Sequence, residues 1–236
     1  VNKPGRLFLL PTPISEEKGL AHIPQYNIEI IKNLEHFIAE DAKNARRFLK
    51  SCGYPVEKAN ISLLNEHNKN EDVSPLLETL LNGHDTGLMS DAGCPGIADP
   101  GAELVRLAHK KNIRVIPLVG PSSIVLGIMA SGFNGQNFAF NGYLPVDKHE
   151  RTRKIKELEQ ISRQKKQAQF FIETPYRNAQ MLESLLSALQ PETQVFIGKA
   201  LLSDSQFLKS ARVSDLKKSQ LPDLNKIPVV FGIYTN

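Results

Sequence analysis

Over its first 118 residues the chain alternates short apolar runs with segments in which apolar residues recur every three or four positions. Arg6 to Leu10 reads as a buried strand stopped by Pro11-Thr12-Pro13, and Asn27 to His36 as a helix running directly into a second strand at Phe37-Ile38-Ala39. Ala42 to Ser51 has helical spacing ended by Gly53 and Pro55, and Ser62-Leu63-Leu64 supplies a third strand. Ser74 is placed as N-cap, and Pro75 as first residue, of a helix reaching Leu81. Thr86 to Met89 and Ile113 to Pro117 are further strands, with helical spacing from Ala102 to Ala108 between them and from Ile124 to Ala130 after them. Strands that alternate with helices predict a mostly parallel α/β sheet, because parallel neighbours need a crossover connection.

The pattern changes beyond Leu118. Lys148 to Gln167 is heavily charged, with Ile155, Leu158 and Ile161 at helical spacing, and predicts a solvated amphipathic helix. Strands at Gln169 to Ile172, Gln194 to Gly198 and Val229 to Tyr234, with a helix at Ala179 to Leu189, favour hairpins and a second, mixed sheet. A chain of 236 residues with 41% hydrophobic content can supply two cores. The expectation is therefore two α/β sandwich domains, residues 1–118 and 119–236, joined by Val119 to Ser123, with a ligand cleft between them.

Ser90-Asp91-Ala92-Gly93-Cys94-Pro95-Gly96-Ile97-Ala98-Asp99-Pro100-Gly101 packs three glycines, two prolines and two aspartates between a strand and a helix. An ordinary turn needs one or two such residues, so this density points to a ligand loop at the carboxyl edge of a parallel sheet. It is not a phosphate cradle. No G-x-x-x-x-G-K-[ST] or strand-borne G-x-G-x-x-G occurs, and Asp91 and Asp99 repel phosphate, so a neutral or cationic ligand suits it better. The net charge of +4 is compatible with a polyanionic partner without requiring one. Cys52 and Cys94 stand far apart and the six histidines form no metal-ligand spacing, so neither a metal site nor a disulfide framework is expected. The apolar run Leu7 to Leu10 is too short for a signal or a membrane span, which predicts a soluble cytoplasmic protein.

The motifs also fall in a specific order. Leu10-Pro11-Thr12-Pro13-Ile14, Ala39-Glu40-Asp41, Ser90 to Pro95 with Asp99-Pro100-Gly101, Gly120-Pro121-Ser122-Ser123, Phe140-Asn141-Gly142-Tyr143-Leu144-Pro145 and Glu173-Thr174-Pro175-Tyr176-Arg177 follow one another along the chain. This set resembles the tetrapyrrole methylase superfamily, most of all its branch of 16S ribosomal RNA ribose 2′-O-methyltransferases, from about Gly5 to about Arg177. The resemblance implies a two-domain methyltransferase that binds S-adenosylmethionine, forms a homodimer and acts on RNA of the small ribosomal subunit. It places Pro11, Ser90, Asp91, Ala92, Gly93, Pro95, Ile97, Ser122 and Ser123 at the cofactor, with Ile172, Ala200 and Pro228 carried over by approximate position. A sulfonium cation and an ammonium group fit a Pro/Gly-rich loop with carboxylates.

The acceptor side is less defined. A ribose hydroxyl needs a base for its proton, and Glu40 and Glu173 are the first candidates, followed by Asp41 and His67. Each has a structural alternative: Glu40 and Asp41 as caps of the helix bearing Arg46 and Arg47, Glu173 as partner of Arg177, and His67 with Asn68 as exposed loop. Ser122-Ser123 equally suits a helix cap, Asp99 suits a loop brace or cap, and Cys94 a small filler. Ser15 to Leu20, Ala42-Lys43, Gly198 to Ser203 and Asn225 to Pro228 depart from the ribosomal branch, so cofactor features are kept better than acceptor features. Two other functions therefore stay open, C-methylation of a tetrapyrrole precursor and S-adenosylmethionine binding without catalysis.

Overall fold

The computed structural model describes residues 3–64 and 73–235, in two compact units divided between Ser122 and Ser123. In the first unit, β1 (Leu7–Leu9), β2 (His36–Ala39), β3 (Asn60–Leu63), β4 (Thr86–Met89) and β5 (Val115–Pro117) form a sheet in the order β3-β2-β4-β1-β5. Every neighbouring pair is parallel. Successive side chains leave the sheet on opposite faces. Phe8, Phe37 and Met89 enter a core closed by α1 (Gln25–Lys32) and α2 (Ala42–Ser51); Leu7, Ile38 and Leu88 enter one closed by α3 (Glu78–Leu81) and α4 (Ala102–Lys110). Burial on both faces is what gives these strands their continuous apolar runs.

Three local expectations in this unit are corrected. The helix expected to run to His36 ends at Lys32: the Asn33 and Leu34 amides bond to Ile30 O and Ile31 O at 3.0 and 3.1 Å, and the strand begins at His36. Leu34 is buried from that turn, so its helical spacing does not require a helix. Ser74 is not an N-cap, because Ser74–Leu77 is a 3-10 turn whose cap position is Val73, without a side-chain bond. The third strand starts earlier than expected, at Asn60, where parallel pairing with His36 fixes its register.

In the second unit, β6 (Phe138–Tyr143), β7 (Ala168–Ile172), β8 (Gln194–Lys199), β9 (Phe207–Arg212) and β10 (Val229–Tyr234) form a mixed sheet in the order β6-β7-β10-β8-β9. Only the β6–β7 pair is parallel. One face packs on α6 (Lys148–Lys165), α7 (Asn178–Ala188) and α8 (Val213–Leu216), around Ile155, Leu158, Phe171, Leu185, Ile197 and Phe231. The other carries α5 (Ser123–Ser131) against β8 and β10. α6 is not simply solvated. Arg151 and Glu159 are buried on it: Arg151 donates to Val146 O at 2.7 Å and Ser184 Oγ at 3.0 Å, and Glu159 accepts from the Gln190 amide at 2.9 Å and from the Thr193 hydroxyl. Those partners offset the cost of taking the charges out of water.

Candidate functional site

Because β4, β1 and β5 are adjacent and parallel, the loops that follow them leave the same edge of the first sheet. Backbone bonds tie the first two together: Thr12 N–H donates to Gly93 O at 2.9 Å, Gly93 N–H donates to Thr12 O at 3.1 Å, and the Thr12 hydroxyl reaches Ser90 O at 3.2 Å. The third loop joins through the Cys94 thiol, which lies 3.4 Å from Pro121 O. Two glycines make this approach possible. A Cβ on Gly120 would sit 2.1 Å from Pro11 Cβ, and Gly93 holds φ at 84°, a region closed to most side chains. Pro11, Ser90, Gly93 and Pro95 are thus buried in one junction, while Asp91, Ala92 and Ile97 stand exposed on it. Ser122 and Ser123 are half-buried at the start of α5, Ser123 being its first residue.

The polar groups around this junction are held in distinct ways. Asp41 caps α2, accepting from the Asn44 amide at 2.8 Å, so its structural alternative holds. The Asn44 side chain then donates to Asp91 Oδ2 at 2.8 Å and accepts from Arg47 Nη2 at 3.2 Å, and Arg47 pairs with Glu16 at 2.8 Å. Asn44 was not visible as a site residue; its signal is the spacing of three after the cap, which turns it toward the strand ends. Glu40 is half-buried immediately after β2. Asp99 does not cap α4, whose cap position is Gly101 without a side-chain bond. Burial instead pushes the Asp99 carboxyl up to about 6, opposed by the nearby Ser90 hydroxyl and reinforced by Asp91. Among the described residues, Ser90 Oγ is buried without a partner in full hydrogen-bond geometry. Burial, then Asp99, raises the Cys94 thiol, and burial raises Cys52 to about 11, which disfavours the nucleophilic thiolate at both.

The second unit brings its own candidates to one edge of its sheet. Ile172 ends β7 opposite Val230, and Ala200 follows β8 at φ 49°, donating its amide to Pro228 O at 2.9 Å. The next turn is tied to the same edge, since Lys226 N–H bonds to Pro175 O at 2.9 Å and Asn178 Nδ2 to Ile227 O at 2.6 Å. Glu173 is buried and takes its structural alternative: Oε1 accepts from the Thr174 amide at 2.6 Å and pairs with Arg177 Nη2 at 2.7 Å. A cavity of about 280 Å³ bordered by Arg163, Glu192, Gln194 and Arg212 opens at the opposite edge, away from these residues. His67 lies outside the described residues. Among those described, no cluster of three or more His, Cys, Asp or Glu is placed to hold a metal ion, and no helix is long and apolar enough to cross a membrane.

No protein-family model matches the chain. Individual proteins do. It is 31% identical over 215 residues to a ribosomal RNA small subunit methyltransferase I of Escherichia coli O157:H7, covering 91% of this chain and 72% of that one. The chain belongs to the ribosomal RNA small subunit methyltransferase I family. Family members from Vibrio cholerae, 28% identical over 89% of this chain and 69% of theirs, and Haemophilus influenzae, 29% identical over 94% and 75%, agree with this. The family likeness also runs further than Gly5 to Arg177, a stretch too short to hold the 215 aligned residues.

Proposed function

We propose that this chain transfers a methyl group from S-adenosylmethionine to a ribose 2′-hydroxyl of small-subunit ribosomal RNA, working as a cytoplasmic homodimer of two-domain subunits. The observation that carries this reading is the junction of three loops at one edge of the parallel sheet in a member of this methyltransferase family. The residues fit the donor: the junction offers the buried Ser90 hydroxyl, the Asp91 and Asp99 carboxylates for a cationic ligand, and close backbone approach at Gly93. We assign Pro11, Ser90, Asp91, Ala92, Gly93, Pro95, Ile97, Ser122 and Ser123 to donor binding, with Ile172, Ala200 and Pro228 from the second unit.

When bound, S-adenosylmethionine supplies a methyl group made electrophilic by a positively charged sulfur, which departs as a neutral thioether. The chain supplies position and a place for the hydroxyl proton. Glu173, besides its pairing with Arg177, is one candidate base. Its Oε1 is fixed by Arg177 and the Thr174 amide, which leaves Oε2 for a proton. Glu40, after β2, is the alternative. The homodimer is supported by two exposed apolar side chains, Met129 of α5 at 74% and Phe138 of β6 at 44%. The test is label transfer from methyl-labelled S-adenosylmethionine to small ribosomal subunits of a strain lacking the modification.

A further inference from the structure

The outer face of α6 carries charge that the fold does not use. His149, Arg153, Lys156, Gln160 and Arg163 recur every three or four residues and are all exposed, so they form one row, opposite the buried row of Arg151, Ile155, Leu158 and Ser162. No acid stands in the outer row. The exposed glutamates of α6, Glu150 and Glu157, fall in a neighbouring row, where Lys154 pairs with Glu157 at 2.7 Å. Among the described residues, Arg153, Lys156 and Arg163 form no salt bridge. The helix dipole favours cations only in the last turn, which accounts for Arg163 but not for Arg153 and Lys156 in the middle of the helix. A merely solvated face mixes both signs, whereas this one segregates them.

The row also leads into a cavity. Arg163, its last member, borders the opening of about 280 Å³ that it shares with Glu192, Gln194 and Arg212. Arg212 pairs with Glu192 at 3.0 Å, so two guanidiniums face one carboxylate and the rim keeps one positive charge. A phosphodiester carries one negative charge, and a guanidinium meets its oxygens with paired N–H donors. From Arg153 to Arg163 the helix rises about 15 Å, over which a stacked nucleic-acid strand places about four phosphates. A membrane surface would call for apolar side chains among the cations, and the row has none. Because β6 and β7 are parallel, α6 runs back from the sheet edge that carries Ile172 and Glu173 to the opposite edge, where the cavity opens. We propose that the outer row of α6 and the cavity at its end form a docking track for the sugar-phosphate backbone of the RNA that flanks the methylated nucleotide. This rests on the methyl-transfer reading, which makes RNA the acceptor.

The experiment compares three double variants that each remove two exposed cations: Arg153→Gln/Lys156→Gln in the row, Arg163→Gln/Arg212→Gln at the cavity, and Lys110→Gln/Lys111→Gln at the end of α4 as the control. Fluorescence anisotropy measures the binding of a labelled single-stranded fragment of small-subunit RNA from about 50 to 200 mM salt. The row and cavity variants are each expected to bind about tenfold more weakly at low salt and to lower the slope of log affinity against log salt by about 1.4. The control keeps the parent's slope, and all four proteins keep one melting temperature and one affinity for S-adenosylhomocysteine. A row or cavity variant that keeps the parent's slope, or a control that lowers it equally, overturns the track and leaves methyl transfer standing. A parent that binds phosphatidylserine vesicles or a polyglutamate peptide as tightly as the RNA overturns RNA as the occupant. A parent that binds the RNA as expected but not S-adenosylhomocysteine contradicts methyl transfer and leaves the track in place.

Discussion

Asp99 is held in a partly buried site where its carboxyl ionises at about 6, well above an ordinary aspartate. The folded chain therefore binds a proton there more tightly than the unfolded chain. That contribution to stability is present below pH 4 and is lost as the pH rises through about 6. Solvent screening at this half-buried position leaves about 1 kcal/mol of the effect, worth about 2–4 °C in a chain of this size. Asp99→Asn, which mimics the neutral acid, is expected to melt above the parent by that amount at pH 7.5 and level with it at pH 4, by circular dichroism. Equal melting differences at both pH values contradict the assignment. The same scale explains why Asn44 escapes a reading of the chain: a single amide three residues after a cap carries no compositional mark, and its bond to Asp91 depends on where two loops meet.

At the scale of elements, the junction depends on backbone fit at Gly120. An added Cβ would overlap Pro11, and both partners are backbone or ring atoms that have little room to yield. Gly120→Ala is expected to lose about 2 kcal/mol or more of stability and most of its donor affinity. Gly135→Ala, where a Cβ meets nothing within 4 Å, should stay within about 0.5 kcal/mol of the parent, as urea titration would measure. The parallel sheet and its three loops were legible because strands buried on both faces, and loops dense in Gly and Pro, leave local signatures. β6 and β9 left none. Asn141-Gly142 interrupts the first, and Lys209 and Arg212 lend the second the polarity of an exposed edge. Nor could charge pattern alone separate Arg151 and Glu159 from the solvated face of α6, since their burial is decided by Ser184 and Thr193 on other elements. For the same reason Glu173, Arg177 and Asn178 read as polar loop residues until the fold buries them together.

For the whole molecule, α5 is apolar nearly all round, and such a helix is normally covered on every side. The proposed homodimer covers Met129 and Phe138; Met129→Glu is expected to shift the sedimentation of the chain from dimer to monomer. A parent chain that sediments as a monomer contradicts that assembly without touching the chemistry. The central claim is the transfer of a methyl group to a ribose of small-subunit RNA, and its most direct test is product analysis. Small ribosomal subunits from a strain lacking the modification are incubated with the chain and methyl-labelled S-adenosylmethionine, and the RNA is digested to nucleosides. The account predicts label in one 2′-O-methylated nucleoside. Label confined to a small molecule, or to a methylated base, would contradict it.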